Sequence, residues 1–397
     1  MKKLSNKAVF TCYESDMTKQ VEALAIFKDD KCVEISLNYN DSESDLNNIY
    51  VAHVNDVVKN IDGAFLEYER GKIGYLSTKE SKNPIFINNK NTTKICEGDN
   101  VLVQLIKEPI KTKNGVLTTN INLTGKYVVL VYGRSGVCIS SKIKDNDFRE
   151  CVKKAILPLC EDCISFIVRT DARNVDVSNI VAEATSLKQE FRVLHSVAMH
   201  RPGKTLIKKA LNVNLSLLRD ICDDTFEIIS DNDELLSRCK EHLRDIVPVN
   251  QFRLYDDKLL PLYKLYSFDS ILKNISDRKV WLKSGGYLVI DYTEAMTVID
   301  VNTGKYDKGK ASDATFYKIN LEAAAEILKQ IRLRNISGII MCDFINMSTE
   351  KMCEDLVDYL KKNAINDRLK VTVLGMTRLK LVEITRKKVR DRVVARR

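Results

Sequence analysis

No run of apolar residues in this chain approaches the ~18 needed to cross a bilayer, which excludes a spanning helix. Histidine is scarce: His53, His195, His200 and His242 are too dispersed for a metal cluster or a nucleophilic triad. The 11 cysteines lack the regular spacing of a disulfide framework, and an odd number of scattered thiols suits a reducing cytoplasm. Only Cys160 and Cys163 stand close together, and one such pair without a second pair or a nearby histidine is a poor zinc signal. The N-terminus is basic (Lys2, Lys3, Lys7), but only Ala8, Val9 and Phe10 follow before polar residues resume, so the apolar core of a signal peptide is missing. Internal repeats and low-complexity tracts are absent as well.

What is present is an ordinary globular composition. A length of 397 residues with 44% hydrophobic side chains predicts two to four domains and more than one core. Lys and Arg outnumber Asp and Glu by 63 to 54, and the net charge of +9 favours a polyanionic partner such as nucleic acid. The first forty residues alternate in short strand-like runs that end in the polar cluster "NYNDSESDLNN". Five β-rich segments follow: "IYVAHVNDVV", "GAFLEYE", "IGYLS", "NPIFIN" and "DNVLVQLIK". Their spacing predicts a small barrel. From "LTGKYVVLVYG" to about His195, strand and helix alternate as in an α/β subdomain. Residues 206–278 read as part of a domain. The remainder reads as a hairpin, a long helix from about Ala314 to Arg334, the strand "GIIMCDF", the helix "TEKMCEDLVDYLKKN", the strand "LKVTVLGM" and a basic tail. That tail, "RLKLVEITRKKVRDRVVARR", reads either as a solvated helix face or as an RNA contact.

The stretch "VIDVNTGKY" carries the chemistry. A strand there delivers Asp300 and Asn302 just before Gly304 turns the chain. Between Asp300 and Asp343 the chain holds one long helix, with an apolar stripe at positions 316, 319, 323, 327, 328 and 331. A strand-helix-strand crossover makes its flanking strands parallel and commonly adjacent, so both acids would emerge on the same edge of a sheet. Two carboxylates brought together either share a proton or bind a cation, and a hard ion such as Mg²⁺ suits them. Asn302, two residues past Asp300, could fix a carboxylate rotamer through its amide. The alternative is that each Asp caps a turn or helix.

Three long blocks, "WLKSGGYLVIDYTEAMTVIDVNTGKY", "NLEAAAEILKQIRLRNISGIIMCDFINM" and "VLGMTRLKLVEITRKKVR", resemble the catalytic domain of the ribonuclease E/G family in order and spacing. The similarity covers nearly the whole chain and is closest in character to the shorter, ribonuclease G-like members. It implies an α/β multidomain fold: an RNase H-like subdomain (1–44 and 206–278) interrupted by an S1, OB-fold barrel (45–119) and a 5′-sensor subdomain (120–205), then a DNase I-like α/β catalytic subdomain (279–397). By the same resemblance Asp300 and Asp343 are the ligands of Mg²⁺, with Mn²⁺ as a substitute, and Asn302 supports them. The implied activity is cytoplasmic endonucleolytic hydrolysis of single-stranded RNA, in rRNA precursors and mRNA decay, leaving 5′-phosphate ends.

The resemblance also places RNA-holding residues. Phe65, Tyr75 and Lys113 match barrel positions that contact RNA, by aromatic faces for bases and a cation for the backbone. Gly125, Val129, Arg169 and Thr170 match a pocket for a 5′-monophosphate, where a guanidinium fork suits a terminal phosphate. Ser141 and Lys142 stand where family members often carry arginines, and Lys cannot copy a bidentate fork, so phosphate sensing is expected to be weaker. Two further departures matter. The chain reaches Arg397 without the family's Cys-x-x-Cys-x-Gly link, so zinc is not expected and a homodimer through the catalytic domain would lack that bridge. Asn346 replaces an acid in "DFINM", which removes a charge near the metal. That change keeps open a rival reading, an S1-type RNA-binding protein with little or no catalysis. A Mg²⁺ nuclease acting on DNA is a third.

Overall fold

A computed structural model describes residues 6–15, 19–39, 44–88, 90, 92–109, 113–173, 175–304, 313–388 and 392–393. The chain divides into two compact units, one of residues 1–40 with 222–397 and the other of residues 41–221. The fold is mixed α/β.

In the first unit, β1 (Asn6–Ser15), β2 (Lys19–Lys28) and β3 (Lys31–Tyr39) form an antiparallel meander. Alternation along β2 is overridden: Val21 and the run Ala23–Phe27 are all buried, as in a strand covered on both faces.

The second unit opens with β4 (Ile49–Val58), β5 (Gly63–Glu69), β6 (Lys72–Ser77), β7 (Asn100–Lys107) and β8 (Gly115–Thr118). They close a five-stranded barrel in the order β4-β5-β6-β8-β7-β4, with β6 and β8 parallel and the other pairs antiparallel. Closure removes free sheet edges. Tyr50, Leu66, Tyr68, Leu76 and Val103 are among the side chains that fill its interior. The segment "NPIFIN", expected as a barrel strand, is not one. It touches β7 through a single bridge, Phe86 to Val101, and two flanking hydrogen bonds, Ile87 N–H to the Asn100 carbonyl and Leu102 N–H to that of Ile85. Pro84 at its start has no N–H to donate, and the fifth strand is Gly115–Thr118.

A second sheet of this unit, ordered β11-β12-β10-β9, is built from β9 (Asn122–Thr124), β10 (Val128–Tyr132), β11 (Gly136–Ile139) and β12 (Ile164–Val168). Helices α1 (Asn146–Ile156) and α2 (Val177–Ala198) cover it, burying Val152, Ile156, Ile180, Ala184 and Leu187 against Leu130 and Phe166. The Asp145 and Asp176 carboxylates accept backbone N–H groups at the two helix starts, which satisfies donors that have no intrahelical partner. β13 (Thr205–Lys208) pairs with β4, and α3 (Val213–Ile221) ends the unit.

The chain then returns to the first unit. β14 (Phe226–Ser230) pairs parallel with β1, α4 (Asp233–Leu243) follows, and β15 (Phe252–Leu254) completes a sheet ordered β15-β14-β1-β2-β3. Short α5 (Leu262–Leu265) and α6 (Phe268–Ser276) lead to the last sheet. In chain order the segment runs β16 (Lys279–Trp281), β17 (Tyr287–Tyr292), β18 (Met296–Asn302), α7 (Asp313–Leu333), β19 (Gly338–Asp343), α8 (Glu350–Ala364), β20 (Val371–Met376) and β21 (Leu381–Arg386). Strand order is β16-β17-β18-β19-β21-β20, and only β18 and β19 are parallel. One face packs on α7 and α8 through Leu288, Ile290, Ile299, Val301, Ile340 and Cys342. Period 2 sends the alternate residues, Asp300 among them, to the other face. The reading of the basic tail as a helix face is corrected in part: residues 381–386 form strand β21, with Arg386 buried, and residues 389–391 and 394–397 lie outside the described residues.

Candidate active site

The long helix α7 connects β18 to β19, and that crossover makes them parallel neighbours in register. Asp300 and Asp343 are cross-strand partners at the carboxyl ends of the two strands, and both are exposed. Adjacent strands lie about 4.8 Å apart, so the two carboxylates meet on one face. Partial desolvation of the Asp343 carboxyl by its neighbours and the adjacent charge of Asp300 push its pKa up. Asn302 lies on the same face and donates from Nδ2 to Asp300 Oδ2 at 2.7 Å, which holds that carboxylate in one rotamer.

The surrounding backbone is set by residues that sequence reading missed. Asn320 is fully buried on α7, donating to the Ile345 carbonyl (2.8 Å) and accepting the Ile345 N–H (3.1 Å). This pair of bonds ties down the segment just after Asp343. Glu322, also on α7, accepts the N–H groups of Lys283 (2.7 Å) and Ser284 (3.2 Å) in the loop before β17. That loop backs the end of β18 closely. Gly304 has φ +66° and no room for a side chain: a Cβ there would lie 2.0 Å from the Gly285 carbonyl oxygen. The signal was present in the sequence as a polar Asn320 beside Ile319 on an otherwise apolar stripe. Asn346 is exposed after β19.

Two exposed carboxylates side by side, one already steered by an amide, fit an ion that takes one or two carboxylates and keeps its waters. Asp300 and Asp343 are the two side chains here that could hold such an ion; among the described residues no group of three or more His, Cys, Asp or Glu is placed to hold a metal.

In the barrel, Phe65 and Tyr75 are cross-strand partners on β5 and β6. Their rings meet edge to face, with centroids 6.0 Å apart. Both are half-buried on the outward face, while Ala64, Leu66 and Leu76 point into the core. Gly63 makes room for the Tyr75 ring, which a Cβ at that position would hit at 2.2 Å, and the Tyr75 hydroxyl donates to the Ile61 carbonyl. Lys113 is exposed on the segment entering β8, the strand beside Tyr75. The structure thus pairs the two rings and leaves the lysine farther along.

Around Arg169 the geometry is crowded. Its Nη1 donates to the Gly125 carbonyl (2.6 Å) and to Asp220 Oδ1 (2.9 Å), and Nη2 lies 3.4 Å from Asp171. Arg219 also binds Asp220, through Nε and Nη2. Burial works against ionisation of Asp220, but the hydrogen bonds and charges of Arg169 and Arg219 outweigh it and hold its pKa below the ordinary carboxylate value. Asp171 is pushed the other way, first by desolvation, with Asp220 adding to it. Gly125 is glycine for a second partner: Glu183 accepts the N–H groups of Lys126, Tyr127 and Val128 at 2.7, 2.7 and 2.8 Å, and a Cβ at Gly125 would sit 2.5 Å from the Glu183 carboxyl carbon. Val129 pairs with Thr124 and Ile167, and the Thr170 hydroxyl shares a hydrogen bond with that of Ser140. Gly125, Arg169 and Thr170 therefore lie together, but the guanidinium is already engaged.

Comparison with known proteins agrees over the same stretches. The profile described as the Ribonuclease E/G family matches residues 122–389. Ribonuclease G of Escherichia coli (strain K12) is 31% identical over 363 residues, covering 87% of this chain and 73% of that protein. Ribonuclease G of Haemophilus influenzae is 31% identical over 361 residues, 87% of this chain and 72% of that protein. Ribonuclease E of Buchnera aphidicola is 31% identical over 389 residues, 94% of this chain but 42% of that longer protein. With relatives of this extent and a profile spanning both units, the chain belongs to the ribonuclease E/G family.

Proposed function

We propose that this protein is a cytoplasmic, Mg²⁺-dependent endoribonuclease that hydrolyses single-stranded RNA to leave 5′-phosphate ends, acting on rRNA precursors and in mRNA decay. The observation that carries the reading is the in-register pair Asp300 and Asp343 on adjacent parallel strand ends, with Asn302 bonded to the first. Asp300 and Asp343 would hold a divalent cation, and the chemistry it would supply there is activation of water and charge neutralisation at a phosphodiester. The chain's own residues do the rest. Asn302 keeps the Asp300 carboxylate in one orientation, Asn320 and Glu322 on α7 fix the loops on either side, and the open face admits a polyanion.

The supporting surfaces are the Phe65–Tyr75 ring pair with Lys113 on an S1-type barrel, proposed to stack bases and hold backbone, and the cluster at Gly125, Val129, Arg169 and Thr170, proposed to receive a 5′-monophosphate. Because Asp220 already engages Arg169, we expect a modest preference for that end group. We assign residues 1–44 with 206–278, 45–119, 120–205 and 279–397 to the RNase H-like, S1, sensor and DNase I-like parts. The closed barrel supports the second of these assignments.

A second reading, RNA binding with little cleavage, is favoured by one feature, the amide of Asn346 in the motif where the family resemblance implies an acid. Cleavage of a 5′-monophosphorylated oligonucleotide in Mg²⁺ separates the two. The nuclease reading predicts that Asp300→Asn lowers the rate about 100-fold or more. Equal rates for wild type and variant would remove the mechanism, and binding without cutting by wild type would favour the second reading.

A further inference from the structure

On the face that carries the two carboxylates, the edge of the catalytic sheet holds a group for which the proposed mechanism has no use. Trp281 on β16 pairs with Tyr287 on β17, and Tyr287 pairs with Asn302 on β18. One row over, Lys279 pairs with Val289, Val289 with Asp300, and Asp300 with Asp343. Directly opposed residues share a face, as do residues two apart along a strand. Lys279, Trp281, Tyr287, Asp300, Asn302 and Asp343 therefore stand on one surface. Two strand spacings, about 10 Å, separate Trp281 from Asn302.

The group is built for a flat ligand. The Trp281 and Tyr287 rings meet edge to face with centroids 5.2 Å apart. The Lys279 ammonium sits 3.5 Å from the Tyr287 centroid and 4.0 Å from that of Trp281. It is held by ring faces, with no acid paired to it among the described residues. Trp281 is 61% exposed on an edge strand, an unusual position for a residue that buries so much apolar area when it packs. A structural tryptophan would be covered. An exposed indole with a cation at one side offers a π-face to a base and a charge to the adjoining phosphate, the two needs of a single-stranded nucleic acid.

We propose that Lys279, Trp281 and Tyr287 form a nucleotide subsite of the catalytic sheet, in which Trp281 stacks on a base flanking the cleaved bond. It rests on the nuclease reading above and deepens it, by giving the carboxylate pair a nearby handle that sets the register of the strand. The subsite is tolerant of base identity, because every base has a π-face and the group carries no edge-reading amide or carboxylate.

Trp281 is the sole tryptophan of the chain, so its fluorescence reports on this place alone. The experiment titrates a short 5′-monophosphorylated single-stranded RNA into Asp300→Asn protein while anisotropy of a dye on the RNA follows binding. A second strand is made abasic at the nucleotides flanking the bond that wild type cuts. The subsite predicts saturable quenching by the intact strand and loss of quenching, with binding retained, for the abasic one. In cleavage, Trp281→Ala should raise KM on the order of ten-fold with kcat nearly unchanged, and Trp281→Phe should restore most of it. Bound RNA with unmoved fluorescence, or an unchanged KM in Trp281→Ala, overturns the subsite while leaving the nuclease reading intact. Failure of wild type to cut overturns that reading instead, and saturable quenching by the intact strand would then still support the stacking site as an RNA contact.

Discussion

Replacing Asn320 by Ala removes a side chain that touches neither cation nor RNA, yet the geometry predicts losses in both stability and rate. Asn320 is fully buried and makes two hydrogen bonds to the backbone of Ile345, at 2.8 and 3.1 Å. Each net bond is worth about 0.5–1.5 kcal/mol, and a backbone group left without a partner costs about 1–3 kcal/mol more. Ile345 is only half-buried, so water recovers part of that penalty, and the total should fall at about 2–4 kcal/mol. Urea denaturation followed by circular dichroism reads it as a lower midpoint with an unchanged slope. Asp343 lies two residues before Ile345, so the freed loop should also loosen the carboxylate. Losses of orienting partners around a metal site run about 10- to 100-fold in affinity or activity, and cleavage at a temperature where the variant remains folded should drop within that range. A variant as stable as wild type within about 0.5 kcal/mol, cutting at the same rate, would refute the role given to Asn320.

Three further outcomes follow from other contacts. Arg386 and Asp367 form a buried bidentate pair, 1% and 6% exposed, so Arg386→Met should cost about 3–5 kcal/mol in denaturant, and adding Asp367→Leu should recover much of it. Gly304→Ala places a left-handed alanine against the Gly285 carbonyl, which should cost more than the ~1–2 kcal/mol of the backbone conformation alone and reduce cleavage, since Asn302 lies two residues back. For Asp220, whose pKa is held down, the stability gained is present above the unfolded carboxylate value of about 3.9 and lost as pH falls through the folded value. For Asp171, whose pKa is raised, the cost of ionisation is present at neutral pH and disappears in acid. Thermal melts should therefore show Asp220→Asn less stable and Asp171→Asn more stable than wild type at pH 7, with both differences shrinking towards pH 3.5.

The placement of Asp300 beside Asp343 was legible because it follows from a local rule: a helical crossover makes neighbouring parallel strands, and period 2 fixes the face. The barrel was legible as a barrel but not strand by strand. "GVLT" is too short and too close to its glycine to announce a strand, whereas "NPIFIN" has the apolar alternation of one and makes a single bridge. Asn320, Glu183 and Glu322 escaped notice because each is a helix residue whose partner is a backbone group far away in sequence. The engagement of Arg169 by Asp220 was invisible for the same reason: 51 residues separate them. The placement of Trp281 and Tyr287 on the face of Asn302 was not legible in the sequence, because it depends on the register of three strands.

In the proposed mechanism two acids at neighbouring strand ends grip one divalent ion. Titrating Mn²⁺ and counting the free ion by electron paramagnetic resonance measures this without relying on catalysis. Wild type should hold one tight ion per chain that the Asp300→Asn/Asp343→Asn double variant loses. Equal uptake by the two proteins, or no tight ion in wild type, would contradict it.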